Sequence, residues 1–310
     1  MKFWVGVTDN NWYKFLAKLR PDEVNFWQPS ATPPFAGAPM GLPFLFKLKR
    51  PYNHIAGGGF FVTYSSLSLS LAWDVFGQKN GCSSLDDLRK LSAPLSASGH
   101  SNGEIGCTIL ANPFFFDEAI WSANPHGWSS SIVRGKMYDS DVGAGAEIWQ
   151  NVEERIVLSP LETTQINVKP TSAEPVEKYG SPITVRPRLG QSSFRVLVTD
   201  AYQRRCAITG ESTLMALEAA HIVPYSEEGG HDVRNGLLLR ADFHRLFDAG
   251  LVSVTPDLRI RVSQRIREEW FNGKVYYQLD NNPLSVVPAH PSMRPDPDLL
   301  DWHYRNKFQA

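Results

Sequence analysis

At 310 residues, with 42% hydrophobic and 20% charged side chains, the chain is long enough for two domains with real cores and has an ordinary globular composition. Its formal net charge of -1 excludes a globally basic nucleic-acid binder, so any contact with nucleic acid has to come from a local basic surface. Cys82, Cys107 and Cys206 lie far apart without a C-x-x-C pair, which excludes a cysteine-clasped zinc site; no apolar run reaches spanning length and the opening MKFWVGVTDNNW has no signal-peptide core, so a cytoplasmic protein without membrane partners is expected.

Residues 2–8 run apolar like a buried strand. Asp9-Asn10-Asn11 then offers a helix N-cap, and residues 12–19 repeat apolar side chains at helical spacing until Pro21 stops them. Val24-Asn25-Phe26-Trp27-Gln28 leads into a proline-rich loop ending near Pro43. Residues 44–49 read as a strand, and residues 54–64 as a strand kinked at Gly57-Gly58-Gly59. Residues 69–76 and 84–91 read as helices separated by a turn at 77–81. Residues 105–110 form a further strand ahead of Phe114-Phe115-Phe116. To about Val157 this describes a mixed, strongly bent sheet with a few helices.

Seven of the nine tryptophans fall in that half: Trp4, Trp12, Trp27, Trp73, Trp121, Trp128 and Trp149. Core and surface packing accounts for any one of them. Taken together, the opening strand FWVGV, the loop carrying Trp27 and the strand pair FLFKLKRPYNHIAGGGFF resemble the EVE branch of PUA-like domains. The resemblance implies a bent β-barrel that holds a flipped, modified base in an aromatic-lined pocket, with Trp27, Gln28 and Phe60 as pocket candidates. Stacking and edge hydrogen bonds would repay the lost base stack, and a methyl group on cytosine adds roughly 1 kcal/mol when buried. Trp4 and Trp12, at strand and helix spacings, suit a core; Trp27 stands beside a loop stiffened by Pro29.

From 158 to 191 five prolines fall among Thr, Ser, Glu and Val with little apolar period, the composition of a linker; Arg186 and Arg188 at its end could touch phosphate. Residues 1–157 and 192–310 are the domains it separates. The second opens with a helix over 193–202, apolar at Phe194, Leu197, Val198 and Ala201. Residues 217–250, LEAAHIVPYSEEGGHDVRNGLLLRADFHRLFDAG, follow: a short strand ending in His221, a polar loop, a second strand after Asn235-Gly236, and a helix carrying His244 and Asp248 that stops at Gly250. A hairpin over 251–263 and a last helix near 299–304 complete the chain.

The order His, Asn, His on this strand–loop–helix pattern, within AHIVP, NGL and HRLFDAG, resembles the HNH nuclease family, whose site is a ββα hairpin gripping one metal ion. The overall expectation is therefore an α+β protein, an EVE-like reader fused to a ββα-metal nuclease. Cutting a phosphodiester needs a water deprotonated in line with the leaving oxygen and a cation on the developing charge. By the resemblance His221 is the general base, Asn235 ties the loop that aims it, and His244 is a metal ligand. The position before the base, often a ligand in the family, is Ala220 here. Asp248, one helical turn beyond His244, or Glu218, on the strand face opposite His221, supplies the missing carboxylate; helical spacing favours Asp248. One histidine with oxygen ligands suits Mg²⁺ or Mn²⁺. His231, in the loop, reads as solvated. Arg204, Arg205, Arg240 and Arg245, with Arg195 and Arg234 nearby, are candidate DNA-backbone contacts.

These readings imply a restriction endonuclease that acts on double-stranded DNA carrying 5-methylcytosine or 5-hydroxymethylcytosine. A single site cuts one strand, so a double-strand break needs two protomers or two visits, and of these a homodimer is expected. Two alternatives stay open: a nuclease directed by an RNA or protein bound to the first domain, and an inactive DNA-binding module.

Overall fold

The N-cap expected at Asp9 forms. Its carboxylate accepts hydrogen bonds from the Asn11 and Trp12 backbone N–H groups and starts α1 (Asn10–Leu19) directly after β1 (Lys2–Thr8). The structure, a computed structural model, describes residues 1–29, 33, 37–96, 104–158, 189–227 and 229–310. The chain divides into two compact units, Met1–Arg188 and Leu189–Ala310. Residues 159–188, with Arg186 and Arg188 and most of the expected linker, lie outside the described residues; at its ends, Leu158 closes a helix and Gln191 opens one.

In the first unit β2 (Glu23–Gln28), β3 (Pro43–Leu48) and β4 (Ile55–Ser68) follow. Then come α2 (Leu69–Phe76), α3 (Leu85–Ser96), β5 (Glu104–Phe115), β6 (Gly135–Asp139) and α4 (Gly143–Leu158). The strands form one six-stranded sheet in the order β2-β5-β4-β3-β1-β6, with β1 and β3 parallel and the other neighbours antiparallel. The glycine kink in β4 takes the form of register shifts against β5 at Gly58/Phe60 and Phe61/Thr63, which bend the long strand. Hydrogen-bonded pairing leaves β2 and β6 as edges, so among the described residues the expected barrel is an open sheet rather than a closed one. Trp4 and Trp12, 8% and 7% exposed, lie in the core as their spacing predicted, with Tyr13, Phe44 and Phe46.

The second unit opens with α5 (Gln191–Ala201), as its apolar spacing predicts: Phe194 and Val198 are buried. β7 (Leu217–His221) and β8 (Gly236–Arg240) pair antiparallel from Leu217↔Arg240 to His221↔Gly236, and α6 (Ala241–Asp248) follows without a break. Phe243 and Phe247 bury α6 against the hairpin, each worth about 1.5–3 kcal/mol. That choice of face leaves His244 and Asp248, each one position on, at the border of the packed stripe. The helix ends in a Schellman closure: Gly250 N–H donates to Phe247 O and Leu251 N–H to Leu246 O, with Gly250 at φ 70°, a conformation that strains any residue with a Cβ. The predicted hairpin, β9 (Val252–Val254) with β10 (Ile260–Val262), comes next. It is followed by α7 (Arg265–Trp270), α8 (Lys274–Tyr277) and α9 (Pro297–Asn306).

Candidate active site

Gly236 fixes where the site begins. A Cβ there would stand 2.4 Å from Val198 Cγ2 and 3.1 Å from Phe194, so only glycine lets α5 lie this close to the hairpin. Phe194, so placed, stacks on the imidazole of His221, with centroids 3.9 Å apart and planes 10° apart. The ring contact and the last pair of the β7–β8 ladder fix the His221 side chain from two directions.

Asn235 is 2% exposed and spends its amide on the loop between the strands. Its Oδ1 accepts from Val223 N–H at 2.9 Å, and its Nδ2 donates to Val223 O at 2.9 Å and Gly230 O at 3.0 Å. Its own carbonyl accepts from Ile222 N–H at 2.9 Å. The residues just after His221 are thereby tied to the start of β8.

His231 is not the solvated loop residue that the sequence suggests. Its Nδ1 lies 3.0 Å from His221 Nε2, and its ring stacks on Tyr225 with centroids 5.0 Å apart. No periodicity in the sequence marks this contact, because the loop fold alone brings the two rings together. Burial first, then the nearby imidazoles of His231 and His244, lowers the His221 pKa from 6.5 to about 4, so its ring is neutral at ordinary pH.

His244 stands between two carboxylates. Its Nδ1 meets Glu218 Oε2 at 2.6 Å, and its Nε2 meets Asp248 Oδ2 at 3.4 Å. Both residues weighed as the missing carboxylate therefore reach it, Glu218 across the hairpin and Asp248 along the helix, and Glu218 comes closer. Burial raises the Asp248 carboxyl above its ordinary value, offset by His244 and reinforced by Glu218. Ala220, wholly buried, only packs the core. The donor types fit a hard divalent ion, and Mg²⁺-like ions keep several waters and need few protein ligands. The two carboxylates face opposite nitrogens of one ring, however, so this arrangement offers two two-donor positions; among the described residues no group of three His, Cys, Asp or Glu side chains is placed to hold one ion.

Of the candidate phosphate contacts, four are engaged within the unit. Arg240 forks onto Asp242 at 2.7 and 2.8 Å and lies over the Phe243 ring; Arg205 Nε donates to Gly210 O at 3.2 Å; Arg204 Nε meets Asp200 at 3.4 Å. Arg234 pairs with Asp296 at 2.7 Å. Arg245 is exposed beside His244, and among the described residues its guanidinium has no ion-pair or hydrogen-bond partner. Free guanidinium groups are rarer here than the sequence suggests, because local carboxylates and carbonyls capture most of them.

In the first unit the three pocket candidates do not converge. Trp27, half-buried, donates its indole N–H to Asn80 O at 3.0 Å, on the sheet face where Asn25 also meets Asn80. Gln28, the next residue, turns to the other face and hydrogen-bonds Tyr64. Phe60 pairs with Ala111 on β5, whereas Trp27 pairs with Cys107. Those partners are four positions apart, roughly 13 Å along a strand. Strand alternation and strand length separate residues that the sequence places in one neighbourhood.

Residues 206–255 match a family model described as HNH endonuclease. No curated protein matches the chain. Among solved structures, a point mutant of the ZmASCH protein from Zymomonas mobilis is similar over 47% of this chain and 96% of its own, at 10% identity and a TM-score of 0.32. The modification-dependent TagI restriction endonuclease is similar over 93% of this chain and 76% of its own, at 14% identity and a TM-score of 0.27. Both are distant in sequence and in shape. The matched segment contains the hairpin, Asn235 and the helix with His244, and residues 206–255 are an HNH endonuclease domain.

Proposed function

We propose that the chain is a metal-dependent DNA endonuclease of the restriction type, and that its N-terminal unit reads modified cytosine flipped out of the duplex. The observation that carries the nuclease reading is the placement of His221, Asn235 and His244 on the hairpin, loop and helix of a segment that matches the HNH endonuclease family. In this reading the neutral His221 takes the proton of the attacking water. Asn235 keeps the loop closed behind it, and Arg245 contacts a backbone phosphate. His244, with Glu218 or Asp248, would hold the divalent ion, Mg²⁺ or Mn²⁺, which when bound neutralises charge developing at the phosphate.

The reader assignment is supported by the resemblance of residues 1–157 to EVE domains and by their aromatic content. A protein that extrudes a base has to repay a few kcal/mol of lost stacking, which rings can supply. Cleavage of both strands by a one-strand site calls for two protomers or two visits, and a homodimer on duplex DNA is part of the proposal. No helix of the described residues is long and apolar enough to cross a membrane.

The test is incubation of the purified protein with matched plain, 5-methylcytosine and 5-hydroxymethylcytosine duplexes, with and without Mg²⁺ or Mn²⁺. Metal-dependent cleavage confined to a modified duplex supports both halves of the reading. Equal cleavage of all three would reassign the N-terminal unit to an RNA or protein partner. Modification-specific binding without cleavage in either metal would leave a DNA-binding module.

A further inference from the structure

The geometry points to His231 as the positioning residue for His221: its Nδ1 accepts a hydrogen bond from His221 Nε2–H and so leaves His221 Nδ1 as the atom that takes a proton. The inference rests on the nuclease reading of His221 given above. Its observation is separate, a contact of 3.0 Å between His221 Nε2 and His231 Nδ1.

At that distance the line between the two nitrogens carries one proton, on one ring or on the other, and His221 itself is neutral. If His231 Nδ1 carried the proton, His221 Nε2 would be the acceptor and its lone pair would be used. His221 Nδ1 would then hold the ring's own proton, and no nitrogen of His221 would be left to act as a base. If His221 Nε2 carries the proton, its Nδ1 lone pair stays open, and among the described residues Nδ1 has no hydrogen-bond partner. Only the second arrangement is compatible with a base at His221. A histidine base elsewhere has its far nitrogen held by a carboxylate or carbonyl for the same reason. Here a second imidazole occupies that place.

His231 is itself held for the task. Tyr225 stacks on it at 5.0 Å with planes 13° apart, and Phe194, which stacks on His221, approaches it at 5.8 Å. Asn235, by binding Gly230 O at 3.0 Å, fixes the residue before it. Ring packing and the loop tie together set one rotamer of His231 against one edge of His221.

The experiment compares His231→Phe with His231→Asn in the full chain. Phenylalanine keeps the ring for Tyr225 and Phe194 but has no acceptor, whereas asparagine gives up the ring and places Oδ1 where Nδ1 stood. We expect cleavage by the phenylalanine variant to fall tenfold or more with DNA binding unchanged, and the asparagine variant to recover most of that loss. A purely packing role predicts the reverse order. Independently of cleavage, ring-nitrogen NMR of the histidine-labelled protein should show His221 protonated at Nε2 in the parent, with a rise in the Nδ1–H form in the phenylalanine variant. The proposal is overturned by a phenylalanine variant that cleaves like the parent, by an asparagine variant as impaired as phenylalanine, or by a parent His221 protonated at Nδ1. If His221→Ala cleaves undiminished in the same assay, the nuclease reading of His221 has failed instead, and the NMR result still decides the hydrogen bond.

Discussion

Glu218 Oε2 and His244 Nδ1 lie 2.6 Å apart although 26 residues separate them in the chain. The pairing arises because β7 carries Glu218 across from Leu239 while α6 starts directly after β8 and folds back over the same face. His244 thus has a carboxylate on each nitrogen, with Asp248 the more distant at 3.4 Å. We expect His244→Ala and Glu218→Gln each to weaken Mn²⁺ binding at least tenfold by calorimetry, and Asp248→Asn to weaken it less. A metal-soaked crystal with Asp248 on the ion and Glu218 elsewhere would restore the order that helical spacing alone favoured.

His221→Ala should abolish cleavage and leave DNA affinity unchanged, because it removes the base and no contact of the first unit. The pH dependence of the parent follows from the depressed pKa of this ring. The neutral form is the active one, and burial holds the folded pKa near 4 rather than 6.5, so the base stays competent as pH falls through 6.5. At saturating metal the single-turnover rate should be nearly flat from pH 7.5 to about 5.5. An acid limb centred on 6.5 would show that His221 is hydrated in the working enzyme.

His303 should make the second unit acid-sensitive. It is 2% exposed, stacks on Phe247 at 3.7 Å, and places Nδ1 2.9 Å from Ser253 Oγ. Burial lowers its pKa from 6.5 to about 4, as for His221. In the unfolded chain these rings take up protons below pH 6.5, whereas in the folded chain they resist until about 4. The stability they contribute is therefore complete above 6.5 and is lost as pH falls through that window, by roughly 3 kcal/mol for the fully buried His303. Hydrogen exchange in urea at several pH values measures it. His303→Phe, which keeps the stack, should flatten the pH dependence, and an unchanged slope would place the acid sensitivity elsewhere.

Replacing Asn235 by alanine leaves Val223 N–H, Val223 O and Gly230 O without their partner. At about 1 kcal/mol for each lost bond, the second unit should lose about 3 kcal/mol and cleavage should fall with it. A variant as stable as the parent would mean that water replaces the amide.

The reader hypothesis meets its test at Trp27. Its indole N–H is committed to Asn80 O, yet its ring is only half-buried. Trp27→Ala should weaken binding to modified duplex tenfold or more and leave plain duplex nearly unaffected, since base stacking is worth about 1–3 kcal/mol and phosphate contacts ignore the modification. Titrations at one salt concentration, with circular dichroism to verify folding, measure this. Equal losses on both duplexes would assign the ring to the core.

What the sequence by itself determined is what local chemistry controls. Asp9 caps α1, apolar spacing buries Phe194, Phe243 and Phe247, Gly250 ends α6, and the His221, Asn235, His244 order marks a segment that matches HNH endonucleases. These depend on neighbours within a turn or a strand pair, so they are legible in one dimension. Tertiary structure alone decided the rest. It brought His231 onto His221, put Glu218 nearer to His244 than Asp248, occupied Arg234 with Asp296, and set Trp27, Gln28 and Phe60 apart on the sheet. Each of these turns on a loop path, a strand face or a register. A side chain's partner there depends on how distant backbone segments close in space, and spacing along the chain carries no record of it.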